Sequence, residues 1–552
     1  MVRVAKGAKK GVVGSLAMVL MLSGVLAACS KDNTPSASTT PTGSSSPAPS
    51  KEPEKPVKLR VTLWDRANAP EGQNLGNNPI TKYVIDETKK IGLDVEFVSL
   101  PRAQESEKLN VWMASGEAPD VIITYSIDTI FKFAEQGGLH ELDAYLAKYP
   151  DLVKNNQKAL DQAGMYKGKR YAIPAIRANT YAGAHMKIRK DWVDKLGMKL
   201  PTTTDELYTV LKAFKEQDPG GVGKDKVVPF AMPAINQGAK GFFFGPMFGF
   251  GVNNDGPGNQ FYAPNGNYKD GVFTSGIATA EGKAFFGWMN KLYKEGLLSK
   301  EFVTDINSQQ YTQQINSGVA GFTDSNEASM TMNINTRKSV PTAQWVTLDP
   351  FKRADGTQRQ PVAADYGMFI AVPKSSKNPE AVVKYLDWMA KPEHLATVSS
   401  GIKDVNWKDD GGLRVAIDAE ANKKTTWVSG SGDLAIIQQG VAPYTKEQLL
   451  KLSANSKDYP TPEAREEYAT EMLRMYDSFK KFGKSELLID VPRPVAQKSV
   501  AAIEKSLYEG VSKAIIAPDY DKAYAEMISG WEKAGGKEYD KEITDAMKAM
   551  KK

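Results

Sequence analysis

Hydrophobic and polar positions alternate along Val57-Lys58-Leu59-Arg60-Val61-Thr62-Leu63-Trp64, a period of two that predicts a strand. Apolar positions then recur at helical spacing from Pro79 to Ile91, with Ile80, Tyr83, Val84 and Ile91 on one face. Alternation returns from Leu93 to Leu100, and helical spacing returns from Glu105 to Ser115, where Gly116 is a stop. Asp120 to Tyr125 reads as a short apolar strand. Strands and helices in such close succession predict an α/β domain with a largely parallel sheet. Ligands of such sheets sit beyond the carboxyl ends of the strands. That rule makes Trp64, Asp65, Arg66 and Tyr125 the first candidate ligand-binding residues.

Further along, Tyr166 to Pro174 is a turn followed by a short strand that a proline stops, with Arg177 just beyond it. Pro201-Thr202-Thr203-Thr204-Asp205-Glu206-Leu207 is a helix start: a cap, acids in the first turn, then Leu207, Val210, Leu211 and Phe214 on one face. Gly238 to Asn267 has neither period and predicts a long surface loop. Helical spacing resumes from Ala280 to Glu295. Asp324 and Asn326 follow the strand-like Gly318 to Phe322, where an ordinary turn is the competing reading. Asp365 and Tyr366 sit within the strand pattern Val362 to Val372, ahead of a helix from Ala381 to Ala390. Trp407 falls in the polar stretch Gly401 to Trp407, where a bulky aromatic asks for a reason. Thr461 to Phe482 and Val495 to Met550 are mainly helical. Trp112, Trp192, Trp288, Trp388 and Trp531 lie within helical patterns and are assigned to packing.

The amino terminus changes the picture most. Arg3, Lys6, Lys9 and Lys10 precede an uncharged run from Gly11 to Ala28 that contains Leu16-Ala17-Met18-Val19-Leu20-Met21-Leu22, the layout of a secretory signal peptide. The run ends in Leu26-Ala27-Ala28-Cys29, small residues before the single cysteine of the chain. Ser30 to Pro56 is built almost wholly of Ser, Thr, Pro, Ala, Lys and Glu and has too little apolar surface to fold, so it predicts a tether. The formal charge of +6 falls to +2 once the four basic residues of the leader are set aside, which argues against nucleic acid as a partner. The three histidines (His140, His185, His394) are far apart in the sequence, which disfavours a zinc enzyme or a histidine-based hydrolase. The chain beyond the tether is too long for a single core and predicts two or more lobes.

Several stretches resemble the bacterial extracellular solute-binding proteins of family 1, the class that includes maltose- and alginate-binding proteins. They are Gly116-Glu117-Ala118-Pro119-Asp120-Val121; Gly168-Lys169-Arg170-Tyr171-Ala172-Ile173-Pro174; Arg189-Lys190-Asp191-Trp192 through Gly197 with Pro201-Thr202-Thr203; Val372-Pro373-Lys374-Ser375-Ser376-Lys377-Asn378-Pro379-Glu380-Ala381; and Trp531 to Gly536. Leu26 to Cys29 resembles the lipobox of a lipoprotein, which implies acylation at Cys29. Larger members often carry a calcium loop at the position of Asp218 to Pro229. Here its first acid, Asp218, is kept, but Gly220, Val222, Lys226 and Val227 stand where oxygen ligands would be, so no metal and no cofactor is expected.

The resemblance implies a periplasmic-binding-protein-like fold of two α/β lobes with a hinge: residues 57–173 plus 326–372 in the first lobe, 174–325 plus 373–552 in the second. It implies an anchored monomer that closes on a carbohydrate, an oligosaccharide by class, and hands it to the permease subunits of an ABC importer. A sugar site needs flat aromatic faces for pyranose rings and carboxylate, amide or guanidinium groups for hydroxyls. Trp64, Asp65, Arg66, Tyr125, Arg177, Asp324, Asn326, Asp365, Tyr366 and Trp407 supply those types. Two rival functions share much of this pattern. One is a ligand-binding sensor for a membrane histidine kinase. The other is a surface polysaccharide-degrading enzyme, which would need a carboxylate pair at a defined separation.

Overall fold

The computed structural model describes residues 55–550, apart from 66–68, 178–184, 234, 236–244, 257–265, 306–307, 326, 363, 426–433, 440–442, 486 and 490. The expected signal peptide, Cys29 and most of the expected tether therefore lie outside the described residues. Two sheets organise the rest. Their strands are β1 (Val57–Asp65), β2 (Leu93–Pro101), β3 (Ile122–Thr124), β4 (Ile173–Arg177), β5 (His185–Arg189), β6 (Val228–Ala231), β7 (Ala320–Ser325), β8 (Trp345–Thr347), β9 (Tyr366–Ala371) and β10 (Gln438–Gln439).

In the first sheet β1 and β2 run parallel, with Val57 opposite Leu93 and Asp65 opposite Pro101. A parallel bridge between Val61 and Val121 joins β1 to the residue just before β3. There the Thr62 N–H donates to Val121 O and the Val121 N–H to Arg60 O, each at 3.1 Å. β9 then runs antiparallel to both β3 and β4, and β4 runs parallel to β10. The order is β2-β1-β3-β9-β4-β10. The expected parallel arrangement holds for β1 to β3 and ends at β9, which enters the sheet from the opposite direction. Val61 to Trp64 are all buried, so β1 is covered on both faces beyond its first residues, although its sequence alternates.

The second sheet has the order β8-β5-β7-β6, antiparallel except for β7 with β6. Its residues divide between two hydrophobic clusters: Phe230 and Phe322 enter one, Ala231, Ala320 and Trp345 the other. This sheet too is covered on both faces.

Two large hydrophobic cores result. The first collects β1 to β4, β9, the helix Pro379–Ala390 with its continuation to Val398, and Leu434 to Ile437. The second collects Met186 to Phe302, Phe322, Leu348, Phe351 and the helices from Ile489 onward. The chain leaves the first core after Ala175, re-enters it by Met368, and leaves it again between Ile437 and Ile489. These cores cut the chain differently from the boundaries expected above. Residues 382–398 and 434–437, assigned by sequence to the second lobe, bury their side chains in the first core; Leu348 and Phe351, assigned to the first, bury theirs in the second. The cause is the short connection from β9 to the helix Pro379–Ala390, which folds straight back toward the sheet it left. Within 238–267, expected to be loop, the described part contains a helix at Gly245–Gly249, and a strand begins at Gly266.

Local chemistry explains why the elements begin and end where they do. The helix Pro79–Lys89 opens with a reciprocal capping box: the Asn78 side chain accepts from the Ile80 and Thr81 amides, and the Asn78 amide donates to Thr81 Oγ1 at 3.1 Å. The helix Glu105–Ser115 closes at Gly116, whose φ of +73° is the left-handed conformation that a C-cap requires. No helix among the described residues is long and apolar enough to cross a membrane.

Candidate functional site

The carboxyl ends of β1, β2 and β3 converge on one polar-aromatic cluster. Trp64, at 1% exposure, stacks on Tyr125 with ring centroids 4.6 Å apart and planes 21° apart. The Arg102 guanidinium, one residue past β2, lies 4.5 Å from the Trp64 ring centre and 5.2 Å from that of Tyr125. Arg102 pairs with Glu105, and Glu105 Oε1 accepts from Thr124 Oγ1 at 2.6 Å. Asp65, at the end of β1, accepts from Ser99 Oγ at 3.0 Å. Trp64 is fully packed, so it serves as backing for the half-buried Tyr125. Tyr125, Asp65 and Arg102 are the members of the cluster with surface left to offer. With Glu105, the cluster sets an aromatic face beside two carboxylates and a guanidinium.

A second group of candidates meets where the chain passes between cores. The Arg177 N–H donates to Asp365 O at 2.8 Å, and Tyr366 sits opposite Ile176 in the β9–β4 register. The Asp365 carboxylate is held by Lys158 at 3.0 Å and by Gln162 at 3.3 Å.

Asp324 belongs to the second sheet and is buried to 3% exposure. Its Oδ2 accepts from the Gly245 N–H, and its Oδ1 has no hydrogen-bond partner among the described residues. The fully buried Lys187, opposite Thr323 in the β5–β7 register, donates to Ser325 O. Burial pushes the Asp324 carboxyl up, opposed by the Gly245 amide and by Lys187; burial pushes the Lys187 ammonium down, opposed by Asp324, Glu327 and Glu471. Trp407 is elsewhere: it opens the strand Trp407–Asp410 of a small hairpin, and its Nε1–H donates to Gly401 O at 2.6 Å. Its place in a polar stretch is thus explained by a local hydrogen bond and burial. Arg66 and Asn326 lie outside the described residues.

The strand-end rule that selects Trp64 and Tyr125 applies equally to β2, where it would select Arg102. Arg102 escapes it because the alternation of β2 is legible only to Leu100, and Pro101 hides the continuation.

The motifs that carry the resemblance are structural ties in this molecule. Asp120 accepts from the Arg60 amide at 2.8 Å and from Ser376 Oγ at 2.6 Å, so the stretch Gly116 to Val121 bonds directly to the stretch Val372 to Ala381. Arg189, at 1% exposure, donates to Asp191 through Nε at 2.8 Å and Nη2 at 2.6 Å and lies over Trp192 at 4.7 Å. In the loop expected to lack a metal, the Asp218 carboxylate accepts from its own backbone, from the Val222 amide at 3.0 Å and the Gly223 amide at 2.8 Å. Lys195 donates to Pro219 O at 2.6 Å beside it. No cluster of three or more His, Cys, Asp or Glu suited to a metal occurs among the described residues.

Residues 74–396 match the sequence profile of the family described as bacterial extracellular solute-binding protein. Lipoprotein LipO of Bacillus subtilis is 25% identical across 84% of this chain and 88% of its own. The polygalacturonan/rhamnogalacturonan-binding protein YtcQ of the same organism is 25% identical across 97% of this chain and 98% of its own. Among solved structures, alginate-binding protein AlgQ2 without calcium superposes with a TM-score of 0.66 at 22% identity, covering 90% of this chain and 98% of that one. The Streptococcus pneumoniae substrate-binding protein FusA in complex with kestose superposes with a TM-score of 0.65 at 19% identity, covering 90% and 99%. The fold is therefore the two-lobed one of periplasmic binding proteins.

Proposed function

Because the chain belongs to the bacterial extracellular solute-binding protein family, we propose that it captures an oligosaccharide outside the cell and delivers it, chemically unchanged, to the permease of an ABC importer. The observation that carries the carbohydrate reading is the Trp64–Tyr125 stack with Arg102, Asp65 and Glu105 around it at the carboxyl edge of the first sheet. It unites an aromatic face with bidentate hydrogen-bonding groups at the edge where α/β sheets take their ligands. YtcQ, which spans nearly the whole chain, is named for binding polygalacturonan and rhamnogalacturonan, and FusA for fructo-oligosaccharides, which supports a glycan over a peptide or metal.

In this reading the two cores are the two lobes, and closure is a population shift driven by the better fit of ligand to the closed form. Tyr125, Asp65 and Arg102 bind from the first lobe, with Trp64 behind them, and Arg66 is a further candidate by its sequence position alone. Arg177, Asp365 and Tyr366 line the crossing, Asp324 contributes from the second lobe, and Asn326 is a further candidate by its sequence position alone. Acylation of Cys29 at the lipobox tethers the protein to the membrane, and it works as a monomer.

A thermal-shift screen of the full chain carrying Cys29→Ser, against oligogalacturonate, alginate and fructo-oligosaccharide panels, tests the proposal. A ligand at 100 times its dissociation constant adds about 2.7 kcal/mol of stability. One glycan class raising the midpoint, with the rise lost in Tyr125→Ala, is the expected result. A chain that no glycan stabilises contradicts it.

A further inference from the structure

Asp128 and Arg493 make a buried contact between the two cores. Asp128 is in the first turn of the helix Ile127–Glu135, whose Ile127, Ile130, Phe131 and Phe133 belong to the first core. Arg493 caps the helix Pro494–Ile516, whose Ala496, Ile503, Leu507 and Val511 belong to the second. The pair is bidentate: Arg493 Nε donates to Asp128 Oδ1 at 3.1 Å and Nη2 to Oδ2 at 2.7 Å. Exposure is 8% for Asp128 and 3% for Arg493. Gln497 adds a second link, its Nε2 donating to Asp128 O at 3.0 Å.

Each partner is fixed within its own element. Ser126, next to Tyr125, caps the helix that carries Asp128 by accepting from the Thr129 amide at 3.2 Å. On the other side the Glu542 carboxylate accepts from the Val495 and Ala496 amides, each at 2.8 Å, and fixes the helix start that presents Arg493. Asp128 is thus three residues from the ring of the proposed glycan platform.

We infer that Asp128 and Arg493 form a latch across the cleft, a pair of positioning residues that holds the lobes closed and separates when they open. The physical reason is the energetics of such pairs. Two ions that are hydrated apart and hydrogen-bonded together exchange desolvation for Coulomb attraction at little net free energy. A contact of this kind can form and break, and leaves the decision to the ligand. An apolar contact in the same place would hold the lobes shut without any. The inference rests on the proposed closure of the two lobes, and it does not require the ligand to be a sugar.

Cys29 is the single cysteine, so paired spin labels can be introduced cleanly. The full chain with Cys29→Ser receives Lys89→Cys in a first-core helix and Ala284→Cys in a second-core helix, both exposed positions. Pulsed dipolar spectroscopy then reads the distance between lobes. Without ligand, Asp128→Asn should lower the ratio of short to long distances by about tenfold. Arg493→Lys, which keeps the charge and loses the fork, should lower it less, and the exchange Asp128→Arg with Arg493→Asp should restore part of it. Distances unchanged in all variants, with only the melting midpoint lowered, would overturn the latch and make the pair a permanent staple. If Asp128→Asn does not fold, the Arg493→Lys distances decide between the same two outcomes. A lengthened distance in the variants together with no response of the parent to any glycan would leave the latch standing and remove the carbohydrate reading instead.

Discussion

At the scale of residues, Trp64 and Tyr125 divide the work of the proposed aromatic site. Trp64 is buried and Tyr125 is half-buried against it, so their replacement has different consequences. Trp64→Ala should cost about 3–5 kcal/mol of stability in a denaturant titration, the usual penalty for deleting a packed aromatic. Tyr125→Ala should leave most of the stability and weaken glycan affinity by about tenfold or more in a calorimetric titration. Equal losses of stability in the two variants would contradict this division. Glu504 supplies a pH test. Burial pushes its carboxyl up to about 8, and its Oε1 has no hydrogen-bond partner among the described residues. The folded state thus holds a proton that the unfolded chain releases near pH 4.5, and Glu504 destabilises the fold increasingly as pH rises from there to about 8. Glu504→Gln should match the parent at pH 4 and exceed it at pH 8 by about 1 kcal/mol, partial contact with water having reduced the penalty. A gain that is the same at both pH values would refute the assignment.

Single residues are also where the sequence is hardest to read. Strand-end position identifies Trp64 and Tyr125, because it follows from local periodicity. It says nothing of Arg493, which meets Asp128 across 365 positions of chain. Nor does it show that Trp407 is spent on the Gly401 carbonyl.

Elements are more legible, because their signals are local. The helix Glu105–Ser115 with its Gly116 stop, the strand Leu93–Pro101 and the helix Pro379–Ala390 lie where periodicity and caps put them. β9 shows the limit: its strand character is legible in Tyr366 to Ala371, but its antiparallel direction depends on a path through the other core. The loop after the helix Thr204–Gln217 carries an element-scale prediction. Asp218 adopts φ +45°, tolerable for an aspartate, and spends its carboxylate on two amides. Asp218→Ala should cost about 1–2 kcal/mol by leaving those amides unpaired. EDTA should leave the melting midpoint of the parent unchanged, and a midpoint lowered by EDTA and restored by calcium would show that the loop holds a metal.

For the whole molecule, length anticipates two or more lobes and the resemblance carried by the motifs implies two, but neither gives their boundaries. Residues 382–398 return to the first core because β9 and the helix after it are too closely joined to part. Several chain crossings between the cores result, and the buried Asp128–Arg493 pair ties one core to the other. Such a construction suits a molecule that closes on a solute. The central question is whether closure binds a sugar without altering it. Calorimetric titration of the full chain with a panel of oligosaccharides, followed by mass analysis of the recovered sugar, asks this in one experiment. The predicted result is saturable one-site binding with a negative heat-capacity change and a sugar recovered at its original length. A shortened sugar, or no heat with any member of the panel, would contradict it.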